Sequence, residues 1–451
     1  MNGVKTVKEP YFKKILLFAL PLMLSGIFQS LYVAADLVVV GRFEGDVALA
    51  AVGSTGSLTS LILGLFLGLA VGGGVCVAHG IGANDLEDIR KTVHTSILLA
   101  AIMGIAVAIL GFFLAPWILR FMETPEDVLP LASTYIKIIF LGSPALVIYN
   151  YAAAMLRASG DSKRPLIFLT VSGVVNIVLN LLFVAVLGMG VTGVALGTII
   201  AQMTSAVMVI IHMRRIDGPL HLSLRRLSID AERLKKILRI GIPSGIQGVL
   251  LAISNVTVQS SINSFGSAVV AGNSAAANVE RFYYIAYHSF YDASITFVGQ
   301  AVGAKKFERI KRIVLTAMLC VVIFAVVLSA IGLIFAEPLL KMYIPDNKDA
   351  LDAAMLRFTT LVIPYFLCGF MEITVGTLRG MGRSMSSTVI TLIFACVLRI
   401  LWIATVFKVF TTPLCIYMTY PISWILTTIV GGIMIVVAVK KEIKHSKIIK
   451  Y

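Results

Sequence analysis

Charge is what this chain has least of. Lys, Arg, Asp and Glu make up 14% of its 451 residues, with only 23 acids, 5 cysteines and 3 tryptophans. A soluble domain carries charge at about a quarter of its positions, so an ordinary aqueous fold is excluded. Cys76, Cys320, Cys368, Cys396 and Cys415 all sit in apolar runs without paired spacing. That excludes a disulfide framework or a thiolate metal site and leaves them as small apolar residues. No CxxC, HExxH, GxxxxGK[ST] or GxSxG occurs. Zinc chemistry, ATP-driven work by this chain alone and serine-nucleophile hydrolysis therefore lack their residues, and neither an enzyme nor a cofactor is expected.

What is present is apolar length. The chain is 58% hydrophobic with a mean hydropathy of +0.95. A bilayer-spanning helix needs about 20 apolar residues. About twelve such runs follow one another, at 13–38, 48–77, 92–115, 131–156, 165–187, 192–212, 237–262, 268–299, 313–336, 352–377, 387–410 and 414–439. They are continuous rather than alternating, which argues against strands. The first is too long for a secretory signal and has no small-residue cleavage site, so it reads as a retained helix.

The pattern occurs twice. Pro21 returns as Pro243, Gly82–Asp85 "GAND" as Gly303–Lys306 "GAKK", and Met155–Asp161 "MLRASGD" as Thr377–Arg383 "TLRGMGR", at a constant offset of 221 or 222 residues. An even number of spans per half makes the repeat parallel. The expected fold is an all-α membrane protein of about twelve transmembrane helices in two six-helix bundles. The expected parts are an amino-terminal lobe over 1–213, a cytoplasmic linker over 214–236, a carboxy-terminal lobe over 237–440 and a basic tail over 441–451. The linker sequence "SIDAERLKKILRIG" suits a short amphipathic surface helix. Lys5, Lys8, Lys13 and Lys14, the basic linker, and Lys440, Lys441, Lys444, Lys447 and Lys450 predict that both termini are cytoplasmic. The net charge of +15 is then a topology signal rather than a nucleic-acid footprint.

Few ionisable residues fall inside the runs, and each needs a cavity or a partner there. Asp36 reads as an interfacial residue or as a protonatable, cation-binding carboxylate. Asn176 and Asn180 are one turn apart and share a helix face. They suit interhelical hydrogen bonds or, with Thr198 and Asp36, a set of hard oxygens for Na⁺ or a site for H⁺. In the second half Glu280, Tyr284, Tyr287 and Tyr291 form a stripe flanked by His288 and Asp292. An acidic tyrosine face can hold a lipophilic cation. Alternatively the acids pair internally, Asp292 with His288 and Glu280 with a base. Arg399, at a similar depth, is the expected partner of Glu280. Glu372 is expected to pair with Arg379. Lys137 and Arg357 lie nearer helix ends and are expected to snorkel. Arg157 and Arg379 read as helix caps or gate residues, Pro21 as structural or gating, and Gly72, Gly73 and Gly74 as a site of close packing.

"AADLVVVGRFEGDVALAAVG", "GANDLEDIRKTVHT", "LRASGDSKRP", "VNIVLNLLF" and "GVTGVALGTIIAQ", followed by "GNSAAANVERFYYIA", "VGQAVGAKKFERIKR" and "LRGMGRS", resemble the multidrug and toxic compound extrusion (MATE) family along essentially the whole chain. The resemblance implies a monomeric secondary antiporter in the plasma membrane, exporting lipophilic, mostly cationic compounds against H⁺ or Na⁺. It also implies that the amino-half cation site falls on Asp36, Asn176, Asn180 and Thr198, with no other metal. Many relatives have Asp where this chain has Asn180, a loss that weakens the Na⁺ reading and puts H⁺ slightly ahead, and some place a further carboxylate in helix seven that is absent here. The alternative within the superfamily is a flippase of a lipid-linked precursor, which would favour a cationic cavity.

Overall fold

The structure is a computed structural model and describes residues 11–122, 124–345 and 347–448. Lys5, Lys8 and Lys450, which enter the orientation argument, lie outside the described residues. Every apolar run becomes helix, because in hydrocarbon only a helix satisfies its own backbone. The helices are α1 (Tyr11–Phe43), α2 (Gly45–Ala83), α3 (Leu86–Phe121), α4 (Leu129–Leu141), α5 (Ser143–Ala158), α6 (Lys163–Asn180), α7 (Gly190–Arg215), α8 (Ala231–Asn263) and α9 (Ser267–Gly303). They continue as α10 (Glu308–Ile334), α11 (Ala336–Lys341), α12 (Lys348–Val362), α13 (Phe366–Gly380), α14 (Ser384–Thr391), α15 (Leu398–Ala404), α16 (Val406–Val409), α17 (Pro413–Tyr417) and α18 (Thr419–Ile448).

Among the described residues nine helical spans are long and apolar enough to cross a bilayer alone. Two more arise by joining α4 to α5, bent by 47°, and α12 to α13, bent by 52°. The twelfth span is α9, whose 37 residues include Glu280, Arg281, His288 and Asp292. Large apolar side chains such as Trp117, Phe121 and Ile334 stand exposed, as lipid-facing residues should.

The duplication is visible in the backbone. α2 ends at Asn84 (φ 56°) and α9 is followed by Lys305 (φ 54°), both left-handed. In each turn the next amide bonds back to the residue five earlier, Asp85 N to Gly80 O at 3.0 Å and Lys306 N to Ala301 O at 2.9 Å. Gly160 (φ 92°) and Gly382 (φ 73°) close α5 and α13 the same way, where a side chain would be strained. Both halves also contain a π-helical turn, Leu181–Val186 after α6 and Leu392–Val397 after α14.

The chain packs as two compact units, one of Leu24–Val249 and one of Met1–Met23 with Leu250–Tyr451. The seams fall inside α1 and α8 rather than in the linker. In the Leu24–Val249 unit, α2 meets the first part of α8 through small residues. A Cβ on Gly68 would collide with Gly245, and one on Gly72 with the carbonyl of Ile237 and with Gly241. These are two facing G-x-x-x-G steps, which let backbones approach without a side-chain layer. Residues 214–230 fold onto α3. The backbone N–H of Ser223 donates to His94 Nε2 at 3.2 Å, that of Asp230 to Thr95 Oγ1 at 3.0 Å, and Arg233 pairs with Asp88 at 2.7 Å. The expected separate amphipathic helix is not formed. Ala231 starts a helix that runs into the span, with Ile237 fully buried, and continues to Asn263 through Pro243.

In the other unit α9 lies among α12, α13 and α10. Its buried side includes Tyr283, Tyr287, Phe290 and Tyr291, and Phe358 of α12 packs edge-on to Tyr283 at 6.0 Å. Gly272 and Gly376 give α9 its close approaches, since a Cβ at either would press on the backbone of Ala350 or of Tyr291.

Candidate functional site

In the Leu24–Val249 unit the four residues expected to form a cation site meet. Asn180 Nδ2 donates to Asp36 Oδ1 at 2.5 Å, across 144 residues of sequence. Asn176 also faces the Asp36 carboxylate, and its Nδ2 donates to Thr198 Oγ1 at 3.4 Å. Thr198 donates to its own helix at Val194 O, 3.0 Å, so its oxygen keeps lone pairs for a ligand. Asn176 and Asn180 are buried, and the Oδ1 atoms of both are enclosed without a hydrogen-bond partner. Asn180 presents its nitrogen to Asp36; with its amide turned over, the two orphaned oxygens, the carboxylate and the Thr198 hydroxyl are the donor types that suit a hard cation.

Two glycines that sequence reasoning missed make room for this site. A Cβ on Gly197 would strike Asn180 Oδ1, and one on Gly173 would strike the ring of Tyr32, one turn before Asp36. Their signal lay in the "GVTGVALG" spacing and in a glycine set in mid-helix, where it costs about 0.5–1 kcal/mol relative to alanine. The π turn begins directly after Asn180, a place where such irregularities recur near functional residues.

The other unit separates the residues expected to form one seam. Glu280 does not pair with Arg399. It takes a two-pronged bond from Arg357, Nε to Oε1 at 2.9 Å and Nη2 to Oε2 at 2.6 Å, while Arg357 Nη1 reaches Asn273 Oδ1 at 2.5 Å. Nor does Arg357 snorkel, as it is only 6% exposed. Residue counting put it near a helix end, but the break before Phe366 makes its helix half of a bent span and turns the guanidinium inward. Glu372 likewise goes to His288 rather than to Arg379, Nδ1 to Oε2 at 3.0 Å. Arg379 donates to the Tyr291 hydroxyl and lies 5.4 Å from that ring.

The stripe also divides. Tyr287 is fully buried, whereas Tyr284 is exposed and stacks on His288 at 5.3 Å, with Tyr291 on the other face at 4.7 Å. Asp292 follows, half-buried and without an ion-pair partner among the described residues. Arg399, 4% exposed, donates Nε and Nη2 to Ser423 Oγ at 3.2 and 2.9 Å and stands 4.5 Å from the Tyr420 ring. Among the described residues no group of three His, Cys, Asp or Glu side chains could hold a metal ion.

The MatE family model matches this chain twice, over residues 21–182 and 243–406. The chain belongs to the MATE family. A probable multidrug resistance protein of Bacillus subtilis, YoeA, is 30% identical over 86% of this chain and 85% of its own length. The probable multidrug resistance protein NorM of Thermotoga maritima is 24% identical over 84% and 82%. An outward-facing multidrug resistance MATE transporter superposes with a TM-score of 0.91, covering 98% of this chain and 99% of its own at 24% identity. A Pyrococcus furiosus transporter of the same superfamily, described by the reversed polarity of its binding pocket, superposes with a TM-score of 0.90 at 24% identity. This MATE chain is therefore a multi-pass membrane transporter and not an enzyme. The duplicated match repeats the offset of the paired turns.

Proposed function

We propose that this MATE protein exports lipophilic compounds across the plasma membrane, both termini cytoplasmic, by exchange for a cation bound at Asp36. The observation that carries the reading is the group of Asp36, Asn176, Asn180 and Thr198 with its two orphaned amide oxygens. A proton needs only the carboxylate. The extra oxygens favour Na⁺ over H⁺, because an alkali ion gains from each oxygen ligand. Coupling requires the ion and the substrate to stabilise different states, since equal affinity for both shifts nothing. Alternating access between duplicated lobes, 1–213 and 237–440, is the corresponding mechanism.

For cationic substrates the reading rests on exposed Tyr284 and half-buried His288, backed by the buried Tyr291. Tyr284, His288 and Tyr291 form an aromatic stack next to Asp292, a carboxylate without an ion-pair partner among the described residues. Glu280 and Tyr287 contribute by holding α9 rather than by touching a ligand, because both are buried and Glu280 is spent on Arg357. The test is ethidium export by the purified monomer in proteoliposomes under separate Na⁺ and H⁺ gradients. The reading expects efflux driven by Na⁺ and lost in Asp36→Asn. Efflux that ignores both gradients would overturn it.

A further inference from the structure

The Arg399 side chain is a buried charge with no carboxylate partner among the described residues. It is enclosed to the same degree as Arg357, yet its only described hydrogen-bond acceptor is one serine hydroxyl. Nη1 has no hydrogen bond among the described residues and is not one of the fully enclosed atoms. Tyr420 is shared between the two cations, with Arg399 at 4.5 Å and Arg357 at 5.6 Å from its ring. Glu280 answers one guanidinium of this pair, and nothing described answers the other. An enclosed guanidinium without a carboxylate is costly and persists where something else supplies the negative charge. Its surroundings are aromatic. Trp424 lies 5.1 Å from Tyr365 and 6.0 Å from Tyr420, all ring to ring.

We infer that Arg399, Tyr420 and the Tyr365–Trp424 pair form a subsite for a lipophilic aromatic carboxylate. The carboxylate would take the place left at Arg399 Nη1 beside Ser423, and the ring would lie among Tyr365, Tyr420 and Trp424. Guanidinium pairs with planar oxyanions through parallel N–H bonds, which a lone hydroxyl does not saturate. This subsite adds a substrate class to the exporter proposed above and rests on that reading only for its purpose, since binding itself needs no gradient.

The test uses dansylglycine and its uncharged methyl ester, with equilibrium binding to the detergent-purified full-length protein. Dansylglycine is expected to bind saturably and the ester on the order of ten- to a hundred-fold more weakly. Arg399→Gln should erase that difference while leaving ester binding unchanged, and Arg399→Lys should keep part of it. Equal binding of the two probes by the wild type, or a preference that survives in Arg399→Gln, overturns the subsite. If Arg399→Gln does not fold, loss of the preference in Ser423→Ala with Tyr420→Leu serves the same purpose, and its full retention there overturns the proposal. Lysophosphatidic acid is the third arm. If it binds in an Arg399-dependent way and dansylglycine does not, the site reads a lipid phosphate and the carboxylate assignment is overturned. Gradient-driven ethidium export by Arg399→Gln separates the two readings. Normal export with lost dansylglycine binding leaves the exporter standing, and the reverse leaves only the subsite.

Discussion

The two halves of this transporter share a backbone and differ in how they handle charge. Their helix-ending turns match residue for residue, Asn84 with Lys305 and Gly160 with Gly382, and each half bends one span and winds one π turn. The amino half then builds around one carboxylate, Asp36, met among the described residues by the amides of Asn180 and Asn176 rather than by a base. The position of Asp36 in the repeat corresponds to Val258, a buried core residue of the other half. The carboxyl half instead distributes Glu280, Glu372 and Asp292 against Arg357, His288, Arg379 and Arg399, and most of these pair internally. A backbone device serves both copies because it depends on local geometry. A buried charge serves only where its neighbours have changed to meet it, so polar content diverges while the frame persists.

The largest test of this contrast is Asp36→Asn. With no second carboxylate in its group, the substitution should abolish gradient-driven export while leaving folding intact, as size-exclusion profile and proteoliposome flux together would show. Normal flux would move coupling to the other half.

Next comes the ion pair that makes the carboxyl half rigid. Arg357→Gln should destabilise the protein by about 3–5 kcal/mol, because it leaves Glu280 enclosed and unpaired. Adding Glu280→Gln should recover part of that loss, whereas Arg399→Leu alone should be near neutral or stabilising, since no carboxylate is orphaned. Thermal unfolding of the three variants beside the wild type decides it, and equal losses for Arg357→Gln and Arg399→Leu would erase the distinction drawn between the two arginines.

Removing Tyr284, the exposed ring of the stack, is a smaller change. Tyr284→Ala should weaken ethidium binding by roughly two- to thirty-fold, the range of one desolvated cation–π contact. Tyr287→Phe, on the buried side of the same helix, should leave binding unaltered if the division of the stripe is right. Within the amino half, Asn180→Asp should raise the Na⁺ dependence of transport at fixed pH by about tenfold, the effect of one added charge-assisted ligand. No gain would mean that this residue does not select the ion.

The smallest effect belongs to the linker, which has no counterpart in the other half. The backbone N–H of Arg233, with Arg233 and Lys91 nearby, holds the Asp230 carboxyl below its ordinary value. A depressed carboxylate stabilises above its unfolded pKa and loses that contribution as pH falls through the folded one. Hydrogen-exchange protection at residues 223–233, taken relative to the intrinsic rate at each pH, should therefore fall on acidification below about pH 4 and change little above it. An Asp230→Asn protein should show no such acid step.

The number of spans, the repeat and its turns were legible in the sequence, and Asp36, Asn176, Asn180 and Thr198, proposed from it as one group, do come together. Each depends on short-range features: an apolar run of fixed length, a glycine where φ must be positive, two amides one turn apart. Residue counting along a straight helix misled where a span was bent. It sent Arg357 toward an end and joined Glu280 to Arg399, because the run was counted as one straight helix through Pro364, where the span breaks before Phe366. Only the tertiary structure decided which charges meet. Glu280 and Arg357 are 77 residues apart, and His288 and Glu372 are 84. Several acids and bases lie at comparable depths in these helices, and by charge alone their pairings are nearly equivalent in energy. Packing breaks that equivalence, because helix rotation and close glycine contacts bring only some side chains within the roughly 3 Å at which a buried ion pair offsets its desolvation.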